Sequence, residues 1–248
     1  MTASARKILL ITGGSRGIGA ATARLAARQG FDVAVNYAHD PAAAGAVVAD
    51  IEGAGRRAIA VKADVAVEAD VAAMFAAVDA HLGRLTHLCC NTGITGPLSR
   101  LEALATADAR AVIDTNVLGS LLCARAAVPR MSTRQGGSGG AMVFVSSAAA
   151  TLGGAGEYVV YAASKGAVES LSIGLSRELA DDGIRSNVVS PGPIATGIHP
   201  PGRLERVAKV VPLGRAGTAE EVAQAVVFLL SEQSAYTTGA VLRVAGGR

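Results

Sequence analysis

A chain of 248 residues carries 23 Lys and Arg against 20 Asp and Glu, and a formal net charge of +3 is too small to point to nucleic acid. No basic run or interleaving of basic with aromatic residues supplies such a surface, so no nucleic-acid partner is expected. Half of the residues are hydrophobic and 17% charged, enough for one large core, and much of the apolar content is Ala and Val, which suits closely packed helices.

The first apolar run, ahead of Gly13, is too short for a secretory signal, and nowhere do eighteen apolar residues stand together. A soluble cytoplasmic protein without a membrane partner is the expectation. Taken in chain order, short apolar runs at 7–12, 32–37, 58–62, 87–91, 141–146, 184–189 and 240–244 read as strands. Ala-rich helical patterns begin near Gly17, Pro41, Glu68, Thr106, Tyr158 and Thr218. Asp40 before Pro41 reads better as a helix N-cap with proline at the first helical position than as a ligand. Cys89 and Cys90 in the fourth strand, and Cys123 in the helix after it, lack CxxC or zinc-finger spacing and read as buried small hydrophobes. Pro129 and the GGSGG run at 136–140 are expected to end that helix and form a surface loop. His39, His81, His87 and His199 are scattered without ligand spacing, so no metal site is indicated. Strands that are continuously apolar and alternate with helices predict an α/β fold in one domain: a doubly wound, seven-stranded parallel sheet with helices on both faces.

Between the first strand and first helix lies Thr12-Gly13-Gly14-Ser15-Arg16-Gly17-Ile18-Gly19, with glycines spaced GxxxGxG. Glycine permits positive φ and close approach of backbone N–H groups to a pyrophosphate, and the helix N-terminus favours an anion. The second strand ends in Asn36 and Tyr37, without the carboxylate that commonly binds adenosine ribose hydroxyls. Arg16 could instead meet a 2′-phosphate; on composition alone, a solvated arginine is an equal reading. On the helix from Tyr158, Tyr161, Lys165, Val168, Leu175 and Leu179 share one stripe, which otherwise reads as apolar and turns the tyrosine and lysine inward. For that pair alone, a core tyrosine with a snorkelling lysine is the plainer reading. Ser146 and Ser147 at the end of the preceding strand shift it, because ligands bind at the carboxyl ends of such strands.

With these residues in place, the chain resembles the short-chain dehydrogenase/reductase family over nearly its whole length. The TGGSRGIG turn matches TGxxxGxG, Tyr161 to Lys165 matches YxxxK, and Asn116, Ser147 and Pro191-Gly192 before Thr196 match the remaining markers. The resemblance implies a Rossmann fold with Tyr161 as general acid/base, Ser147 orienting a carbonyl and Asn116 holding a water in a proton relay. It also implies that Lys165 binds the nicotinamide ribose and lowers the tyrosine pKa. Free tyrosine titrates near 10, so a neighbouring ammonium is what brings it toward working pH. Cofactor contacts implied are Gly13, Ser15, Arg16, Gly17, Ile18 and Gly19 in the turn, Asn36 and Tyr37 at the second strand, and Asp64 and Val65 at the adenine. Asn91 and Gly93 would meet the adenosine side; Pro191, Gly192, Ile194 and Thr196 the nicotinamide end.

The chain departs from the family where NNAG reads Cys90-Asn91-Thr92-Gly93 and where the terminal DGG reads Ala245-Gly246-Gly247. Tyr158 cannot replace Tyr161, because four residues on stands Ala162. Ser146 remains a second candidate beside Ser147. The expected activity is hydride transfer between NADP(H), preferred over NAD(H), and a small-molecule carbonyl or secondary alcohol. The motifs are shared by 3-oxoacyl carrier-protein reductases and by glucose-dehydrogenase-like sugar enzymes; a non-catalytic NADP(H) sensor or scaffold is the alternative of another class. The stretch 195–211 resembles a substrate lid, and its Arg203, Arg206 and Lys209 read better as a solvated helix face than as an acidic-substrate site. The family and the Ala-rich helices around Asn116 and Tyr161 imply a homotetramer.

Overall fold

The strands alternate their side chains between two separate helical layers, which is why they are apolar on both faces. In β1 (Lys7–Ile11), Ile8 and Leu10 join one core while Leu9 and Ile11 join the other. The computed structural model describes residues 6–198 and 202–248; His199 and residues 199–201 of the expected lid lie outside it. β2 (Phe31–Tyr37), β3 (Ala58–Lys62), β4 (His87–Cys90), β5 (Gly140–Val145), β6 (Ile184–Pro191) and β7 (Val241–Val244) complete one sheet. All pairs are parallel, in the order β3-β2-β1-β4-β5-β6-β7, so the chain reverses direction across the sheet between β1 and β4. The predicted doubly wound sheet is therefore present, and ligands of such sheets bind at that reversal, beyond the strands' carboxyl ends.

One layer is α1 (Gly17–Arg28), α2 (Pro41–Gly53) and α9 (Ala219–Leu230), packed through Ala23, Ala26, Val47, Ile51 and Val226. The other is α3 (Glu68–His81), α5 (Gly119–Met131) and α7 (Val159–Glu178), packed through Phe75, Leu122, Ala127 and Val168. Short α4 (Thr106–Ile113) runs through a π-helical turn at Asp114–Leu118 into α5; α6 (Ala149–Leu152) and α8 (Arg203–Ala208) flank the cleft. The run Thr106–Met131 is long and apolar enough to cross a membrane by length and composition, yet Leu122, Cys123, Ala127 and Met131 on it are buried in the core. Asp40 caps α2 by accepting the N–H of Ala43 at 2.9 Å, with Pro41 at the first helical position, as predicted. All three cysteines are free and buried.

Two expectations need correcting. Pro129 does not end its helix; α5 continues to Met131. Arg84 then donates to the carbonyl oxygens of Pro129 and Arg130 at 2.9 and 2.6 Å, meeting acceptors that a helix end leaves open. The inward stripe of α7 is not otherwise apolar either: Ser164, Ser172 and Ser176 are buried along it, and Leu175 is only partly so.

In the middle of the sheet, His87 is 5% exposed, with its ring edge-on to Phe31 at 4.9 Å and its Nδ1 2.7 Å from Thr86 Oγ1. Burial, reinforced by the positive charges of Lys7 and Arg185, pushes its pKa down from 6.5 to about 3. The folded chain thus holds a neutral imidazole where the unfolded chain binds a proton. The stability this supplies is complete above pH 6.5 and is lost as the pH falls toward 3. In thermal melts, His87→Gln is expected to flatten the fall of Tm through that window; a slope equal to the wild type's would refute the assignment.

Candidate active site

At the end of β1 the chain enters a turn whose polar groups are tied on every side. Thr12 Oγ1 accepts the N–H groups of Asn91 and Thr92, each at 3.0 Å, and Asn91 Nδ2 donates to the carbonyl oxygens of Thr12 and Gly13 at the same distance. Gly13 has φ +61° and Gly17 φ +51°, a region that glycine adopts without strain. A Cβ on Gly19 would stand 2.3 Å from Gly13 O, so Gly19 serves close packing and does not line the cleft, contrary to the cofactor contact expected of it.

Asn36 lines the cleft, where a cofactor contact was expected of it, and its side chain also has a structural task. Its side chain is buried, accepts the N–H of Gly13 at 3.1 Å, and donates to the carbonyl oxygens of Ala63 and Val61 at 3.0 and 3.3 Å. It fastens the glycine turn to β3. The strand and turn partners of this amide come together only in the fold.

Beyond the strand ends lies a cleft of about 1010 Å³. Gly13, Ser15, Arg16, Gly17 and Ile18 line one end together with Tyr37, Asp64 and Val65; Ala38, His39 and Asp40, which sequence reasoning did not assign there, lie beside Tyr37. Asn91 and Gly93 form the middle, and Pro191, Gly192, Ile194 and Thr196 close the far end with Ser147, Tyr161 and Lys165. A dinucleotide fits these residues. The first turn of α1 holds no acidic side chain, Arg16 at its N-cap is exposed, and Thr92 Oγ1 on the same wall is buried without a partner. Gly93 leaves room for what lies beneath it, since a Cβ there would come within 3.0 Å of Lys165 Nζ and 3.3 Å of Asn116 Oδ1.

The candidate catalytic groups come from three elements. Tyr161 and Lys165 stand one turn apart on α7, and Ser147 follows β5. Burial pushes the Tyr161 phenol above its usual range, while a hydrogen bond with Ser147 and the charge of Arg203 pull it back. Lys165 is not among the groups that lower it, unlike the expectation; its Nζ lies 5.7 Å from the Tyr161 ring centroid and donates to Val145 O at 2.8 Å. Burial also depresses the Lys165 ammonium to about 8. Ser146 and Ser147 separate cleanly: Ser146 Oγ turns away to Glu169 Oε1 at 2.8 Å and Lys165 O at 3.2 Å, and Ser147, on the cleft wall with Tyr161, is the one that draws the phenol pKa down.

Asn116 sits in the π-helical turn, fully buried and off the cleft wall. Its amide accepts the N–H of Ile94 and donates to Ile94 O and Ser164 Oγ, all at 2.9 Å. A water held by this residue would donate to its side-chain or its backbone carbonyl oxygen, the latter also accepting from Ser120 Oγ at 2.7 Å. Tyr158, as expected, makes no pair with a lysine; it packs edge-on to Tyr161 with centroids 6.2 Å apart. Among the described residues, no three His, Cys, Asp or Glu side chains gather as a metal site.

This geometry agrees with what the chain is similar to. The family model described as Enoyl-(Acyl carrier protein) reductase matches residues 13–248. A short chain dehydrogenase from Burkholderia cenocepacia J2315, solved in complex with NADP, superimposes with a TM-score of 0.91 at 35% identity, over 97% of each chain. The chain belongs to the short-chain dehydrogenase/reductase family. As a short-chain dehydrogenase/reductase it is an oxidoreductase acting on CH–OH or C=O groups. The uncharacterized oxidoreductase YgfF of Escherichia coli (strain K12) is 50% identical to it over 245 residues, 97% of this chain and 99% of that protein. A human 3-oxoacyl-[acyl-carrier-protein] reductase is 42% identical, over 97% of both.

Proposed function

We propose that the protein is an NADP(H)-dependent reductase of the 3-oxoacyl type, moving hydride between nicotinamide and a ketone or secondary alcohol. The observation that carries this reading is the placement of Tyr161, Ser147 and Lys165 in the same cleft as the glycine turn, with Lys165 Nζ 5.7 Å from the Tyr161 ring centroid. When bound, the nicotinamide gives or takes the hydride. Ser147 and Tyr161 then hold the substrate oxygen, and the phenol supplies the proton to the developing alkoxide. An ammonium has three N–H donors, so Lys165 would hold a ribose hydroxyl while keeping its bond to Val145 O. The 50% identical oxidoreductase and the human 3-oxoacyl reductase support the type of reaction. A sugar dehydrogenase is the second reading, favoured by the polar Glu157 and Arg203 on the cleft wall. A sensor without turnover has less support, because cofactor binding alone needs neither Ser147 nor Tyr161.

Preference for NADP(H) over NAD(H) rests on Arg16, exposed at the N-cap of α1 on the cleft wall, and on the lack of a carboxylate at Asn36 and Tyr37. The NADP complex of the Burkholderia relative supports it. The assembly proposed is a homotetramer. Exposed apolar residues form two sets that a second copy would cover: Ile113, Leu118 and Leu121 with Val159 and Ile173, and Phe228 with Val241 and Leu242 on the outermost strand. A cytoplasmic location is supported by three unpaired, buried cysteines.

Three measurements test these readings. In single-turnover NADPH oxidation over a panel of 3-oxoacyl thioesters and keto-esters, with aldoses and NADP⁺ in the reverse direction, Tyr161→Phe should slow the chemical step about a hundredfold to ten-thousandfold while NADPH titrates normally. Tyr158→Phe should leave that step nearly intact, and Tyr161→Phe keeping more than about a tenth of the rate would end the assignment. For the cofactor, Arg16→Ala should weaken NADPH over NADH by about one to two decades, whereas Asn36→Ala should weaken both alike and lower Tm; equal losses in Arg16→Ala would discredit the 2′-phosphate contact. Light scattering at micromolar concentration should give four copies, and a monomeric mass would remove the assembly.

A further inference from the structure

The wall of the cleft beside Tyr161 is formed by a charged cluster that hydride transfer itself does not require. Arg203, the first residue of α8, grips Glu157 Oε2 through Nε at 3.1 Å and Nη2 at 2.9 Å, and Arg206 reaches Glu157 Oε1 at 2.5 Å. The Arg203 side chain is only 18% exposed, and its guanidinium lies 4.8 Å from the Tyr158 ring centroid. That ring stands edge-on to Tyr161. A guanidinium over a tyrosine ring, and that ring edge-on to the ring of the reacting phenol, thus lie in series along the cleft wall.

Two guanidiniums, those of Arg203 and Arg206, share the carboxylate of Glu157. A partly buried charge acts across several ångströms far more strongly than one in open water. The other charged and titratable groups around the phenol are Lys165 on its own helix, Tyr158 and Glu157 just before that helix, and Arg248 at the chain end, which also lines the cleft. Lys165 is turned to Val145 O, and Arg203 is the cation that draws the phenol downward against its burial. We propose that Arg203 is a positioning residue for proton transfer: stacked on Tyr158, it stabilises the phenolate of Tyr161, and Glu157 limits how much of that charge Tyr161 feels. This gives α8 a part in the chemistry and goes beyond the solvated-face reading of its arginines. It rests on the reading of Tyr161 as the general acid/base.

The test reads the ionisation directly and needs no substrate. A stopped-flow pH jump on the full chain records tyrosinate absorbance before unfolding, and the wild type minus Tyr161→Phe difference isolates Tyr161 from Tyr37, Tyr158 and Tyr236. Arg203→Met should raise the Tyr161 midpoint by about half a pH unit or more, and Glu157→Gln, which keeps both arginines, should lower it. Arg203→Lys should restore most of the wild-type value. An unmoved midpoint in Arg203→Met, or an upward move in Glu157→Gln, would leave the cluster a purely structural latch and overturn the proposal. Turnover distinguishes the two levels of argument. Loss of turnover in Tyr161→Phe with an unmoved midpoint in Arg203→Met defeats only this inference, whereas retained turnover in Tyr161→Phe defeats the functional reading itself.

Discussion

The hydrogen bond from Lys165 Nζ to the carbonyl oxygen of Val145 decides where the rest of the site can stand. An ammonium that is 4% exposed has lost its water, and its desolvation is visible in a pKa held near 8. The last carbonyl of β5 is the partner that keeps it inside, and the bond fixes the rotation of α7 against the sheet. With α7 held at that angle, Tyr161 one turn earlier faces the cleft and meets Ser147, two residues after the same carbonyl. The space above the ammonium exists because residue 93 has no side chain. One buried charge therefore constrains a strand end, a helix orientation and a glycine in a third segment.

The opposite end of the cleft is built by neutral amides. Asn36 and Asn91 hold the glycine turn from two sides, and Thr12 holds Asn91 and Thr92 in return. Asn91 takes up the carbonyls of Thr12 and Gly13, and the turn leads into the N–H groups at the start of α1. That arrangement suits an anion better than a cation. A carboxylate in place of the Asn36 amide could accept the Gly13 N–H, but it would turn a negative oxygen on Val61 O and Ala63 O, where the amide donates.

The sheet was legible almost residue by residue, because its strands are written as short, mostly apolar runs between glycine or polar turns. Tyr161, Lys165 and the glycine turn were legible for a similar reason: each depends on a spacing within one element. What the sequence hid depends on partners far away in the chain. The second task of Asn36, tying the glycine turn to Val61 and Ala63, shows only in the fold, as do the hydrogen bonds from Arg84 that cap the helix end at Pro129 and Arg130. The π-helical turn at Asn116 gave no local signal either; it is held by Ile94 and Ser164. Ser146 and Ser147 could be told apart only once the helix facing them was in place.

The serines on the inner face of α7 explain how that helix comes close enough for Lys165 to reach the strand end. Leu or Met at 172 and 176 would hold the helix farther from β6, whereas small side chains allow a shorter separation. Each hydroxyl is then satisfied without water: Ser172 and Ser186 share a 2.8 Å hydrogen bond, and Ser176 returns to Ile173 O at 2.7 Å. Gly239 completes the fit, since a Cβ there would stand 2.8 Å from Ser176 Oγ. The residues that break the expected apolar stripe are thus the ones that set the helix height, and that height determines whether a four-carbon lysine stem spans from α7 to Val145.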